Sequence, residues 1–199
     1  MLRITLLSGE EVASLPLTEL SDVKALKHRL HQQHGLPPRF RQRLLHDGHT
    51  LDDAVKLDTA MDLQVLIVAF SEFSEDQQQE LYVAASDGNV AKVDTLLQLP
   101  MDPDAADDDD GITPLMLASE NGHVDVAHLL LEAGALPDSR DNRGETALMD
   151  AAHNGHAPVV RLLLEAGAQS DARDVAGKTA LMMTADPDVR RLLEAPATT

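Results

Sequence analysis

The chain has 199 residues, enough for one large domain or two small ones, each with a modest core. Apolar residues make up 43% but aromatic ones only 2%, so the core is aliphatic and a platform for stacking single-stranded bases is excluded. A net charge of -18 repels phosphate backbones and anionic membranes, so a protein partner with a basic surface is expected, and neither nucleic acid nor membrane. The absence of Cys excludes disulfides, thiolate zinc sites and thiol nucleophiles. Met1 to Leu7 is too short and interrupted for a signal-peptide core, and the apolar run Leu63 to Phe70 is far below membrane-spanning length. An intracellular, cytoplasmic protein is expected, with nuclear residence the alternative.

In chain order, Arg3 to Leu7 alternates as a strand, Glu10 to Leu17 offers a second, and Gly9 marks a hairpin between them. Val23, Leu26 and Leu30 then recur at helical spacing, capped by Ser21 or Asp22 and ended by Gly35 and Pro37. His28, His31 and His34 recur every three residues here; zinc sites on helices more often use pairs four apart with a carboxylate, so they read as helix surface. Arg39, Arg41 and Arg43 alternate, which predicts one face of a strand and a local basic patch.

The order continues through Gly35-Leu36-Pro37-Pro38, Arg43-Leu44-Leu45, Gly48, Leu51-Asp52-Asp53 and Leu63 to Ile67, and residues 1–70 resemble ubiquitin. The resemblance implies a β-grasp fold and, through Leu45 and Leu66, part of the apolar patch that ubiquitin receptors read. Ser8 stands at that patch's third apolar position and Gln64 where the family has His, which weakens such recognition. Val68-Ala69-Phe70 replaces the diglycine tail, so conjugation is not expected. The stretch from Leu45 to Leu51 is shorter than in ubiquitin, which predicts loss of one edge strand.

Residues 71–76 read as a polar linker, and the charge divides there. Residues 1–70 hold 8 Lys/Arg and 9 Asp/Glu, while residues 71–199 hold 8 and 25, a net -17. Gly111-Ile112-Thr113-Pro114-Leu115-Met116, Gly144-Glu145-Thr146-Ala147-Leu148-Met149 and Gly177-Lys178-Thr179-Ala180-Leu181-Met182 begin 33 residues apart, as do Leu129 to Ala135 and Leu162 to Ala168. Thr113, Thr146 and Thr179 sit at helix N-caps, and Pro114 fills the first helical position. Gly122 and Gly155 break the first helix of each unit; Gly134 and Gly167 supply the C-cap of the second. Each unit is helix, turn, helix and extended loop, stable only when stacked.

These residues resemble ankyrin repeats over residues 77–196: a capping unit 77–110, full units 111–143 and 144–176, and a shortened unit 177–196. Met116, Met149 and Met182 replace the family's usual His after T-P-L, which predicts loss of its hydrogen bond, while His123 and His156 imply structural bonds between units. The resemblance implies partner contacts on the finger loops, at Asp108, Asp109, Asp110, Arg140, Asn142, Arg143, Arg173, Asp174 and Lys178. On the inner helices it implies Leu117, Glu120, Asn121, Asp150, His153 and Asn154.

The run Asp107 to Asp110 fails the EF-hand pattern, because placing Gly111 at position 6 puts Ala106 at position 1 and Leu117 at position 12. No nucleophile elbow, P-loop or dinucleotide motif occurs, so no catalytic residue, cofactor or metal ligand is assigned. The expectation is an α+β two-domain, non-catalytic adaptor or scaffold. Its alternatives are a ubiquitin- or proteasome-pathway adaptor docking through the first domain, and an accessory or inhibitory subunit of a larger complex.

Overall fold

The computed structural model describes residues 1–16, 20–69, 74–99, 101–107 and 109–195. The chain divides into two compact units, Met1–Phe70 and Ser71–Thr199.

In the first unit, strands β1 (Leu2–Leu6) and β2 (Glu11–Leu15) form an antiparallel hairpin, with Gly9 at φ +89° in its turn. Leu17, in the second predicted strand, lies outside the described residues. Helix α1 (Val23–His34) starts where the Asp22 carboxylate accepts the Ala25 N–H at 2.8 Å, and ends at Gly35 in the left-handed conformation. Strands β3 (Gln42–His46), β4 (His49–Thr50) and β5 (Asp62–Ile67) complete a mixed sheet ordered β2-β1-β5-β3-β4, with β1 and β5 parallel, which is a β-grasp layout. Alternate residues Leu2, Ile4, Leu44, Leu63 and Val65 turn inward to meet Val23, Leu26 and Leu30, and all of them are buried.

Two expectations are corrected here. The edge strand is present as β4: Asp47 (φ +49°) and Gly48 (φ +79°) make a two-residue turn with positive φ at both positions, the geometry that returns a hairpin most tightly. The three arginines do not share a strand face, because Arg39–Arg41 is a 3-10 turn and only Arg43 lies in β3. Arg39 is buried and pairs with Asp53 at 2.8 Å, while Arg41 donates to the Val68 carbonyl.

The second unit is a stack of helical hairpins: α2 (Glu75–Ser86) with α3 (Val90–Leu97), α4 (Pro114–Glu120) with α5 (Val124–Ala133), α6 (Ala147–His153) with α7 (Ala157–Glu165), and α8 (Ala180–Met183) with α9 (Pro187–Glu194). Helix α2 begins inside the segment read as linker, because the Ser74 hydroxyl accepts the Gln77 N–H and Glu75 and Asp76 suit the positive end of the helix. Residues 71–73 of that segment lie outside the described residues. Leu81, Leu115, Leu130, Leu148 and Leu163 are fully or almost fully buried.

The histidines expected to join units do so. His123 Nε2 lies 2.9 Å from the Ser86 carbonyl and His156 Nε2 lies 2.9 Å from the Glu120 carbonyl. A Cβ on Gly88 or Gly122 would stand 2.6 or 2.7 Å from these rings, so the glycines are required by close approach as well as by positive φ. Met116 does not forfeit a hydrogen bond, as its sulfur accepts the Thr113 N–H at 3.4 Å while the Thr113 hydroxyl accepts the Met116 N–H. Thr146 and Thr179 occupy the same N-cap position without a side-chain bond. Gly134 is a left-handed C-cap, whereas Gly167 follows the C-cap residue Ala166.

The first unit of the stack is built differently from the next two. Glu80 and Lys92 stand in the register of Pro114 and Val126, and of Ala147 and Val159, all four buried. They are exposed and pair at 2.7 Å, which gives that side of the stack a polar face.

Candidate functional site

The finger loops project between hairpins and are built by aspartates. The Asp107 carboxylate accepts the N–H groups of Asp110 and Ile112, Asp141 accepts those of Arg143 and Glu145, and Asp174 accepts that of Lys178. The loops are then tied together. Asn142 donates from its side chain to the Asp109 carbonyl at 2.8 Å and from its backbone to Asp110, and the Val175 N–H reaches Arg143. Arg140 donates to the carbonyls of Gly144 and Arg173, and Arg173 to that of Gly177. On the opposite loops the Asp104 carboxylate accepts the Leu136 N–H at 3.0 Å, and Asp138 accepts the N–H and the side-chain amide of Gln169.

Asp174, Arg140, Asn142 and Arg173 therefore brace the fingers as well as lying on them. Asn121 and Asn154 likewise donate to Leu117 and Asp150, each closing the end of its own helix. Arg143 pairs with Asp141 and Glu145 at 3.0 and 2.8 Å. Asp109, Asp110, Lys178, Glu120 and His153 remain exposed on fingers and inner helices, and Leu117 is half-buried. Asp108 lies outside the described residues.

Asp150 is half-buried on α6, and among the described residues its carboxylate takes neither hydrogen bond nor ion pair. Burial, reinforced by the charges of Glu145, Glu120 and Asp141 and opposed by Arg143, pushes it up to about 7. Asp104 is pushed up to about 6, chiefly by burial. The Tyr82 hydroxyl, raised by burial and by Asp107, donates to the Ile112 carbonyl at 2.6 Å and so joins the first hairpin to the first finger. Tyr82 and Asp138 were not singled out in the sequence, and Asp104 stood out only as part of the acidic stretch before Gly111; the recurrence of Asp104 and Asp138 in one register is the signal that would have found their bracing role.

On the sheet of the first unit, Arg43 pairs with Leu66 and Leu45 with Gln64, so Leu45 and Leu66 are diagonal neighbours on the solvent face. Leu66 is 38% exposed, Leu45 is half-buried, and Ser8 is exposed. Beside them lies a shallow depression of about 330 Å³ lined by Arg3, Thr5, Leu45, Asp47, Asp62 and Gln64. Beneath the sheet's far end Asp53 accepts from Lys27 at 2.6 Å and from Arg39, both cations being almost completely buried. The Gln42 side chain donates to the carbonyls of Lys27 and Pro37. His31 and His34 are exposed, His28 is half-buried, and His31 Nδ1 lies 2.7 Å from the Leu36 carbonyl. Among the described residues no three His, Asp or Glu side chains gather as a metal site would require, and no helix is long and apolar enough to cross a membrane.

A family model described as ankyrin repeats (3 copies) matches residues 53–141, and another described as ankyrin repeats (many copies) matches residues 130–182. Between them the two matches span residues 53–182, and that region carries ankyrin repeats. The first match begins within the sheet unit, although the helices of the stack begin only at Glu75. Ankyrin repeats are typically non-catalytic binding modules, and their presence implies a protein partner.

Proposed function

We propose that this ankyrin-repeat protein is a non-catalytic adaptor that holds a protein partner with a basic surface against its fingers and inner helices. The observation that carries the reading is the division of labour along the repeats. The register's buried positions and braces hold the stack, while Asp109, Asp110, Glu120 and His153 stay exposed on adjoining loops and helices with, among the described residues, no structural bond from their side chains. The test is affinity capture with the full chain, followed by capture with Asp109→Lys/Asp110→Lys and with His153→Glu. A partner retained by the parent chain and by a sheet variant such as Leu66→Asp, but lost from both repeat variants, supports the reading. A partner indifferent to the repeat variants overturns it.

A second reading is that residues 1–70 are a ubiquitin-like domain, joined through residues 71–76, which docks to ubiquitin receptors in a ubiquitin- or proteasome-pathway adaptor. It is favoured by the outward position of Leu45 and Leu66 on a sheet of β-grasp order. Titration of the isotope-labelled full chain with a ubiquitin-interacting helix is expected to shift signals at both residues. Shifts confined to other surfaces, or none, remove this reading.

A further inference from the structure

The inner helices of successive hairpins carry one register position that the packing does not bury. Aligned on Ala84-Ala85, Ala118-Ser119 and Ala151-Ala152, it is filled in turn by Val83, Leu117, Asp150 and, one period on, Met183. The helices α2, α4, α6 and α8 pack side by side in sequence, and the repeated His123 and His156 bonds keep one hairpin in the same relation to the next. These four side chains therefore lie in a row along one face of the stack. Val83 is 48% exposed, and Leu117 and Met183 are half-buried.

Apolar groups thus flank a single carboxylate. Asp150 is shielded as they are, yet among the described residues it has no cation or N–H of its own, and its near cation Arg143 is committed to Asp141 and Glu145. A half-buried carboxylate in an apolar row is unfavourable alone and becomes favourable when an opposite charge with an apolar stem is laid on it. Glu120 and Glu145 close by strengthen the attraction for a cation and repel an acid.

We propose that the inner-helix row recognises a partner segment presenting one Lys or Arg between apolar side chains, the cation meeting Asp150 and the apolar groups meeting Leu117 and its equivalents. The inference rests on the adaptor reading above and adds the chemistry of the bound segment. The row supplies contact area, and Asp150 sets which segment is accepted and in what register.

The probes are fluorescein-labelled peptides with Leu on both sides of a central residue that is Lys, norleucine or Glu, separated by Gly-Ser spacers of several lengths, measured by fluorescence polarisation with the full chain. The Lys peptide of the best spacing is expected to bind roughly tenfold more tightly than its Glu counterpart. Asp150→Asn should remove the preference, Asp150→Lys should invert it, and Leu117→Glu should weaken every peptide. The fluorescence of Tyr82, the only Tyr in the chain, confirms that each variant retains its folded stack. Peptides that lose affinity with Leu117→Glu but show no Lys preference overturn this inference and leave the adaptor reading standing. Binding indifferent to Leu117→Glu, or no binding of any peptide, also overturns this inference, while the adaptor reading falls only if a captured partner is indifferent to the finger and His153→Glu variants.

Discussion

The two units dispose of their charged groups in opposite ways. The sheet unit takes two cations out of water and seats both on one carboxylate, Asp53, inside a single cooperative core. The repeat unit keeps most of its excess acid at the surface and uses its few cations as braces, Arg140 and Arg173 on carbonyls and Arg143 on two carboxylates. A buried ion cluster is intolerant of change at any member, whereas the repeats place surface groups on an independent frame of buried leucines and alanines. Binding chemistry is therefore freer to vary in the second unit than in the first.

The sharpest way to break that contrast is Asp53→Ala. It strands Lys27 and Arg39 in the core and is expected to cost about 3 to 5 kcal/mol, felt by the sheet unit alone. Amide exchange should rise across β1, β3 and β5 while Tyr82 fluorescence reports an unchanged repeat transition. Leu163→Ala should do the reverse, costing about 2 to 5 kcal/mol in the repeat transition. A change nearer 0.5 kcal/mol, on the order of a surface substitution, would contradict its burial. Gly122→Ala is next, at about 2 kcal/mol, because positive φ and the His156 ring both oppose the methyl group.

A smaller effect concerns pH. Asp150 and Asp104 are both raised above their ordinary value in the folded chain, so between about pH 4 and 7 the native repeats bind protons that the unfolded chain has released. The stability this confers is full below about pH 4 and is lost as pH rises through about 6 for Asp104 and about 7 for Asp150. Asp150→Asn should flatten the upper part of that decline and leave the variant the more stable protein above neutrality, measured by urea melts across pH. The smallest effect expected is on encounter: Asp109→Asn with Asp110→Asn should slow association with an oligo-lysine peptide about two- to threefold at low salt, and the difference should vanish at high salt.

Much of this was legible in the residues. The recurrence of Gly-x-Thr and Leu-Leu-Leu-Glu-Ala-Gly-Ala at one period fixed the stack, because packing units against copies of themselves requires the same side chains at the same intervals. Alternation found the strands, but it misled at Arg39, Arg41 and Arg43, where a 3-10 turn mimics a strand's spacing and the acceptor, Asp53, is distant in sequence. The edge strand β4 was missed because loop length was weighed and the turn-forming Asp47-Gly48 was not. Among the proposed contacts, residue type did not separate Asn142 or Asp174, which build fingers, from Asp109 and Asp110, which do not lend them their side chains. That distinction depends on which carbonyl or N–H a neighbouring loop brings within reach.

The direction in which His123 and His156 point gives the stack a polarity. Each histidine reaches back to a carbonyl of the hairpin before it, so a hairpin leans on its predecessor and gives nothing of this kind in return. Trimming later hairpins would leave every earlier histidine bonded, whereas excising the first would strand His123 over an empty neighbour. By these histidine bonds, growing or shortening such a stack is least disruptive from the C-terminal side, whereas forward braces such as Arg140 on the Arg173 carbonyl would be lost there.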